Sequence, residues 1–210
     1  MALAEAQIAL KKTSEALAAV DRALKMSQTE AVVVPAARVL VAAGREKEAR
    51  ALGEKLDARL RPRSRAYGKL IAGEIALRRG QMTEAVDAFR ASQQFADNTT
   101  IVKGATKGYW LARFDLGVAY VLAGAEQSAA AFAEFEACRR RQGEAGAIFL
   151  DDVPTYRYLV PLWYWMARAQ EGLHMDGEAQ ANYKKFVALR PASTGDPLAL
   201  DAEKRTSAPR

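Results

Sequence analysis

The chain has 210 residues, half of them hydrophobic and 27% charged, which places it among folded rather than disordered proteins. Its formal charge of +6 admits nucleic acid or an anionic membrane surface as partners, yet 25 acids are interleaved with 31 bases, as in "GREKEARALGEKLDARL", so most of this charge reads as solvated helix faces. One cysteine, Cys138, and one histidine, His174, exclude a disulfide framework and a His/Cys metal cluster.

Alanine, leucine, glutamate and arginine dominate, and these residues lose little side-chain freedom in a helix. β-branched residues are sparse outside positions 31–41. The expected fold is therefore all-α. The opening "MALAEAQIAL" carries an acid where a secretory signal would carry its basic stretch, and it begins mid-pattern on a helix, as a piece of a longer chain would. No apolar run approaches the roughly 20 residues needed to cross a bilayer. A cytoplasmic setting without membrane insertion is expected.

Along the chain, "TSEALAAVDRALKMSQ" reads as the second helix of a pair, with Ala16, Val20 and Ala23 on one face. Four stretches then share one frame: "GREKEA" from Gly44, "GQMTEA" from Gly80, "GAEQSA" from Gly124 and "HMDGEA" from His174. Each sets a turn residue five positions before an alanine. Upstream of each, at matched spacing, lies a small residue: Ala37, Gly73, Gly117 or Ala167. Phe89 and Tyr183 stand four positions after their alanines.

This pattern resembles the tetratricopeptide repeat, W-x2-L-G-x2-Y followed by A-x3-F and P. The last copy fits best, with Trp163, Met166, Ala167 and Gln170, then Ala179, Tyr183 and Pro191. The third supplies Leu116, Gly117 and Tyr120; the second supplies Ala72, Gly73, Ala76, Ala85 and Phe89. The first is weakest, with Ala36, Ala37, Leu40 and Ala49, but Gly53 where the aromatic belongs. The resemblance implies an α–α superhelix of antiparallel pairs over 1–193, about nine to eleven helices in all, with a short helix and tail at 194–210.

The spacing between copies is uneven. The step from Gly73 to Gly117 is about ten residues longer than the usual period, and that from Gly117 to Ala167 about sixteen. The surplus falls in "ADNTTIVKGATKG" and "RRQGEAGAIFLDDVPTYRYL". Within the second, Asp151 and Asp152 are adjacent on an extended segment. They point to opposite sides and do not converge on one ion. Pro161 suits the first turn of a helix beginning "PLWYWMARAQ".

The segment from "AFAEFEACRRRQ" to "MARAQEGL", with "DPLALDAEKR" after it, is similar to the C-terminal repeat regions of bacterial eukaryotic-like serine/threonine kinases. The chain carries no Gly-rich loop, HRD or DFG signature, so the resemblance implies a docking or sensory module rather than a kinase. No catalytic residues, cofactor or metal ligands are expected.

In such superhelices the first helix of each pair lines a concave groove. The frame assigns to it Arg38, Tyr67, Glu74, Arg78, Phe114, Tyr164, Arg168 and Glu171. That aromatic and charged set suits a peptide or protein segment. The carboxylate clamp of cochaperone repeats needs paired Lys and Asn, where this chain carries Val34, Leu70 and Phe114. A nucleic-acid alternative rests on "RLRPRSR" at 59–65 and on Arg139, Arg140 and Arg141, all at helix ends where bases complement the dipole without any ligand.

Overall fold

The computed structural model describes residues 1–97, 107–143 and 155–207. Among these residues the fold is all-α: eleven α-helices and three 3-10 turns, with no strand. The helices are α1 (Ala2–Ala9), α2 (Thr13–Met26), α3 (Glu30–Ala42), α4 (Glu46–Asp57), α5 (Pro62–Arg78) and α6 (Met82–Asp97). They continue with α7 (Lys107–Ala123), α8 (Ser128–Arg140), α9 (Leu159–Gly172), α10 (Asp176–Leu189) and α11 (Pro197–Ser207). The adjacent acids Asp151 and Asp152 lie outside the described residues, as does most of each long insertion.

The described residues divide into two compact units. One runs to Ala112, the other begins at Arg113, and the boundary falls inside α7. In the first unit α1–α6 form three hairpins, and each helix packs on the next. The opening helices of successive hairpins also touch, α1 against α3 and α3 against α5. In the second unit α8 packs on α9, α9 on α10 and α10 on α11.

One turn recurs. Lys11, Gly44, Gly80 and His174 have φ of 60°, 78°, 75° and 57°. In each case the next backbone N–H reaches five residues back to a helix carbonyl: Lys12 to Gln7 at 2.9 Å, Arg45 to Leu40 at 2.8 Å, Gln81 to Ala76 at 3.0 Å and Met175 to Gln170 at 2.9 Å. This is the Schellman closure of a helix C-terminus. Lys and His pay about 1–2 kcal/mol for left-handed backbone, which the closing hydrogen bonds must offset. Five residues after each turn comes a fully buried alanine: Ala16, Ala49, Ala85 and Ala179. Seven residues before it comes a buried small residue: Ala4, Ala37, Gly73 and Ala167. The first hairpin is thus a full member of the series. The sequence pattern reads the opening segment as helical but places only the second helix of this pair in the repeat frame.

The third copy departs from the expected frame. Ala129, five after Gly124, is exposed, whereas Ala131 and Phe135 are fully buried. Gly124 has φ 137°, and a 3-10 turn over Ala125–Gln127 adds two residues before the second helix settles. The A-x3-F pair of this copy is therefore Ala131 and Phe135.

The small residues let the helices of a pair cross closely. A Cβ at Gly73 would stand 2.5 Å from the Phe89 ring, and one at Gly117 would stand 2.5 Å from the Phe135 ring. Valine-rich α3 is helical despite its β-branched run because Val33, Val34, Val39 and Val41 are buried, and burial outweighs the small propensity loss. Pro161 sits in the first turn of α9, where its missing donor has no helical acceptor to satisfy.

Candidate partner-binding surface

The eight positions assigned to a groove fall into sets that behave differently, and each set lies within one unit.

In the first unit, α3 and α5 bring Arg38 and Glu74 together, with Arg38 Nη1 2.6 Å from Glu74 Oε1. Both are largely buried, at 17% and 9% exposure, so they tie neighbouring hairpins together instead of facing solvent. Tyr67 is fully buried. Arg78, at the C-terminal end of α5 where a cation complements the helix dipole, is exposed.

In the second unit, Phe114 is 4% exposed and packs edge-on against Phe135, with centroids 6.1 Å apart, and against Tyr158 at 5.5 Å. Tyr164 is 3% exposed, inside a cluster with Ala167, Ala179, Tyr183 and Phe186. The expectation that Tyr67, Phe114 and Tyr164 face a groove is corrected: all three are core residues. The cause is visible in the frame. Val34, Leu70, Phe114 and Tyr164 stand three residues before their small residues, and all four are buried, so this position faces the interior in these four copies.

Arg168 and Glu171 join a polar network that reaches α10 and α11. The Tyr164 hydroxyl donates to Asp201 Oδ2 at 2.7 Å, and Arg168 Nη1 donates to the Tyr164 oxygen at 3.2 Å. Arg205 donates from Nε to Asp201 Oδ2 at 2.6 Å and from Nη1 to Glu171 Oε2 at 2.7 Å. The Tyr183 hydroxyl donates to the same Glu171 oxygen at 2.8 Å. Partial burial alone would raise the Asp201 carboxyl, but hydrogen bonds from Arg205 and Tyr164 hold it below its usual value. Burial, and then the Glu171 contact, push the Tyr183 hydroxyl well up, so it remains a donor. Asp201 and Arg205 were not among the sequence candidates. The i, i+4 spacing of "DAEKR" was their signal, but nothing local showed that α11 folds back onto α9 and α10.

A cleft of about 200 Å³ opens between α4 and α5, lined by Arg50, Glu54, Asp57, Lys69 and Ile71 around Gly53 and Gly68. Gly53 stands where the second, third and last copies carry Phe89, Phe135 and Tyr183, and a Cβ there would meet Ile71 at 3.1 Å. A Cβ at Gly68 would stand 2.8 Å from the Gly53 carbonyl, so the two backbones touch. Asp57 is engaged there by Lys69 Nζ at 2.7 Å.

Cys138 is fully buried, and desolvation, reinforced by Glu134, pushes its thiol far above the usual range. Such a thiol supplies little thiolate for nucleophilic chemistry. Among the described residues no group of three or more His, Cys, Asp or Glu is placed to hold a metal ion. No described helix is long and apolar enough to cross a membrane.

Arg59 and Arg65 of the basic stretch at 59–65 are engaged internally. Arg59 donates to Glu30 Oε1 at 3.3 Å and to the Gln28 carbonyl at 3.2 Å, and the Arg65 guanidinium lies 4.4 Å from the Phe95 ring centre. Arg139 makes a two-point contact with Glu136 at 2.8 and 2.9 Å.

No family model matches the chain, and neither a curated protein nor a solved structure does.

Proposed function

We infer that the chain is a non-catalytic interaction module of tetratricopeptide-like repeats that binds a protein or peptide segment, as a docking or sensory part of a larger cytoplasmic bacterial signalling protein. The observation that carries this reading is the recurrence of one turn at Lys11, Gly44, Gly80 and His174, in one frame with buried small residues before and after it. Repeats of this kind cannot bury their apolar faces singly, and stacking gives them extended surfaces suited to macromolecules. In the first unit Arg78 is exposed, and in the second, taken by itself, Arg168 and Glu171 are partly exposed, so a partner of either unit is expected to read charge and not the buried aromatics. The internal pairing of Arg59, Arg65 and Arg139 favours a protein partner over nucleic acid.

The test is capture from the native host with the intact chain as bait, beside Arg78→Ala and Arg168→Ala variants shown by circular dichroism to be folded. Loss of a true anchor weakens binding by at least about 2 kcal/mol, which is more than tenfold. Undiminished capture by a variant would remove the charged position of that unit as a binding surface, and undiminished capture by both would remove both.

A further inference from the structure

The helix α11 is held lightly for an element of an ordered unit. It buries fully only two alanines, Ala199 and Ala202, against the cluster of Tyr164, Ala167, Ala179, Tyr183 and Phe186, while Leu200 is 46% exposed. By contrast α10 buries Tyr183 and Phe186 outright. Two alanines and the partly buried Leu198, which packs on the same cluster, contribute less by area than the two buried rings of α10, so the polar contacts weigh in holding α11.

Those contacts are specific. Asp201 accepts from Tyr164 at 2.7 Å, and Arg205 bridges to Glu171 at 2.7 Å, with the Tyr183 ring 6.0 Å from its guanidinium carbon. Gln180 donates to the Arg205 carbonyl at 2.8 Å. The side chains of Asp201 and Arg205 keep 37% and 31% of their exposure, so water reaches the contacts. α11 is joined to α10 through a short 3-10 turn and Gly195 at φ 72°.

We propose that the face of α9 and α10 bearing Tyr164, Arg168, Glu171 and Tyr183 is a helix-binding site. Its resident occupant is α11, and its partner is a helix with the chemistry of α11: two small residues at i, i+3 against the aromatic floor, and an acid and an arginine at i, i+4. The acid meets the Tyr164 hydroxyl, and the arginine meets Glu171 over the Tyr183 ring. A partner helix competes with α11 for one set of donors and acceptors, so the C-terminal helix keeps the site closed until such a helix is present. The proposal rests on the interaction-module reading for the existence of a partner, but its test concerns α11 alone.

The test uses the full chain carrying Asp201→Arg and Arg205→Glu together, and a fluorescein-labelled peptide of the native Pro197–Ser207 sequence. In the variant, hydrogen exchange across α11 accelerates at least about tenfold while α9 and α10 keep their protection. The native peptide then binds the variant at least about tenfold more tightly than it binds the wild-type chain, and a peptide carrying Arg205→Glu loses that advantage. Three results overturn the proposal: α11 exchange unchanged in the variant, protection of α9 and α10 lost along with it, or a freed site that takes up neither peptide. None of these bears on partner capture through Arg78.

Discussion

Gly117 lies so close to Phe135 that a Cβ added to it would meet Cε1 of the ring at 2.5 Å and Cζ at 2.7 Å. Gly73 and Phe89 stand in the same relationship. Where the frame has Ala167 in place of glycine, the facing residue is Tyr183, and both are fully buried in one cluster. The small residue and the ring are complementary halves of one crossing.

Gly117→Ala separates two effects of opposite sign. Alanine gains about 1 kcal/mol of helix propensity over glycine, whereas overpacking costs about 1–3 kcal/mol. The Phe135 ring is fully buried with no solvent to move into, so net destabilisation is expected. Adding Phe135→Leu should recover part of the loss in a denaturant titration, whereas strictly additive effects would show that the two sites are uncoupled.

Glu30, 3% exposed at the start of α3, accepts from Ser64 Oγ at 2.5 Å and from Arg59 at 3.3 Å, joining α3 to α5 and to the end of α4. Burial is the largest single influence and raises its carboxyl pKa, but the Ser64 hydrogen bond, a backbone hydrogen bond and the charges of Arg59 and Arg61 together outweigh it and hold the group below its ordinary 4.5. Because the folded value is the lower one, this group's stabilisation is complete above 4.5 and is lost as pH falls through the depressed value. Glu30→Gln should cost about 1–3 kcal/mol near neutrality and flatten the acid side of the stability profile. Parallel profiles for the two proteins would contradict the assignment.

Tyr67 and Arg78 sit on one helix yet should respond oppositely to truncation. Tyr67→Ala, at full burial, is expected to cost about 3–5 kcal/mol. Arg78→Ala, exposed at the helix end, should stay within about 0.5 kcal/mol. Urea midpoints decide the point, and a mild Tyr67→Ala would return that residue to the surface.

How much of this was legible in the sequence differs from element to element. The turns at Gly44, Gly80 and His174 were, because glycine punctuation and an alanine five residues on are local signals. The copy at Gly124 was placed two residues out of frame, since a 3-10 turn inserts without changing composition. Groove and core could not be separated for Tyr67, Phe114 and Tyr164. An aromatic residue on a first helix reads the same whether it faces solvent or the neighbouring helix, and only packing decides. The pairing of Arg38 with Glu74, thirty-six positions apart, was likewise invisible to any window of local pattern.

Cys138 should resist thiol reagents. With its thiolate suppressed by burial, native protein should react slowly with a disulfide reagent and rapidly after denaturation. Prompt native labelling would require that α8 opens readily.

The proposed protein partner is expected to touch the exposed end of a hairpin's first helix. The most direct measurement places a photo-crosslinking residue at Arg78, exposed at the end of α5, and as a control at Arg22, on the exposed side of the second helix α2. In native host cells, one defined protein adduct from position 78 and none from position 22 is the expected result. Equal adducts from both positions, or none from position 78 in a folded variant, would contradict the claim.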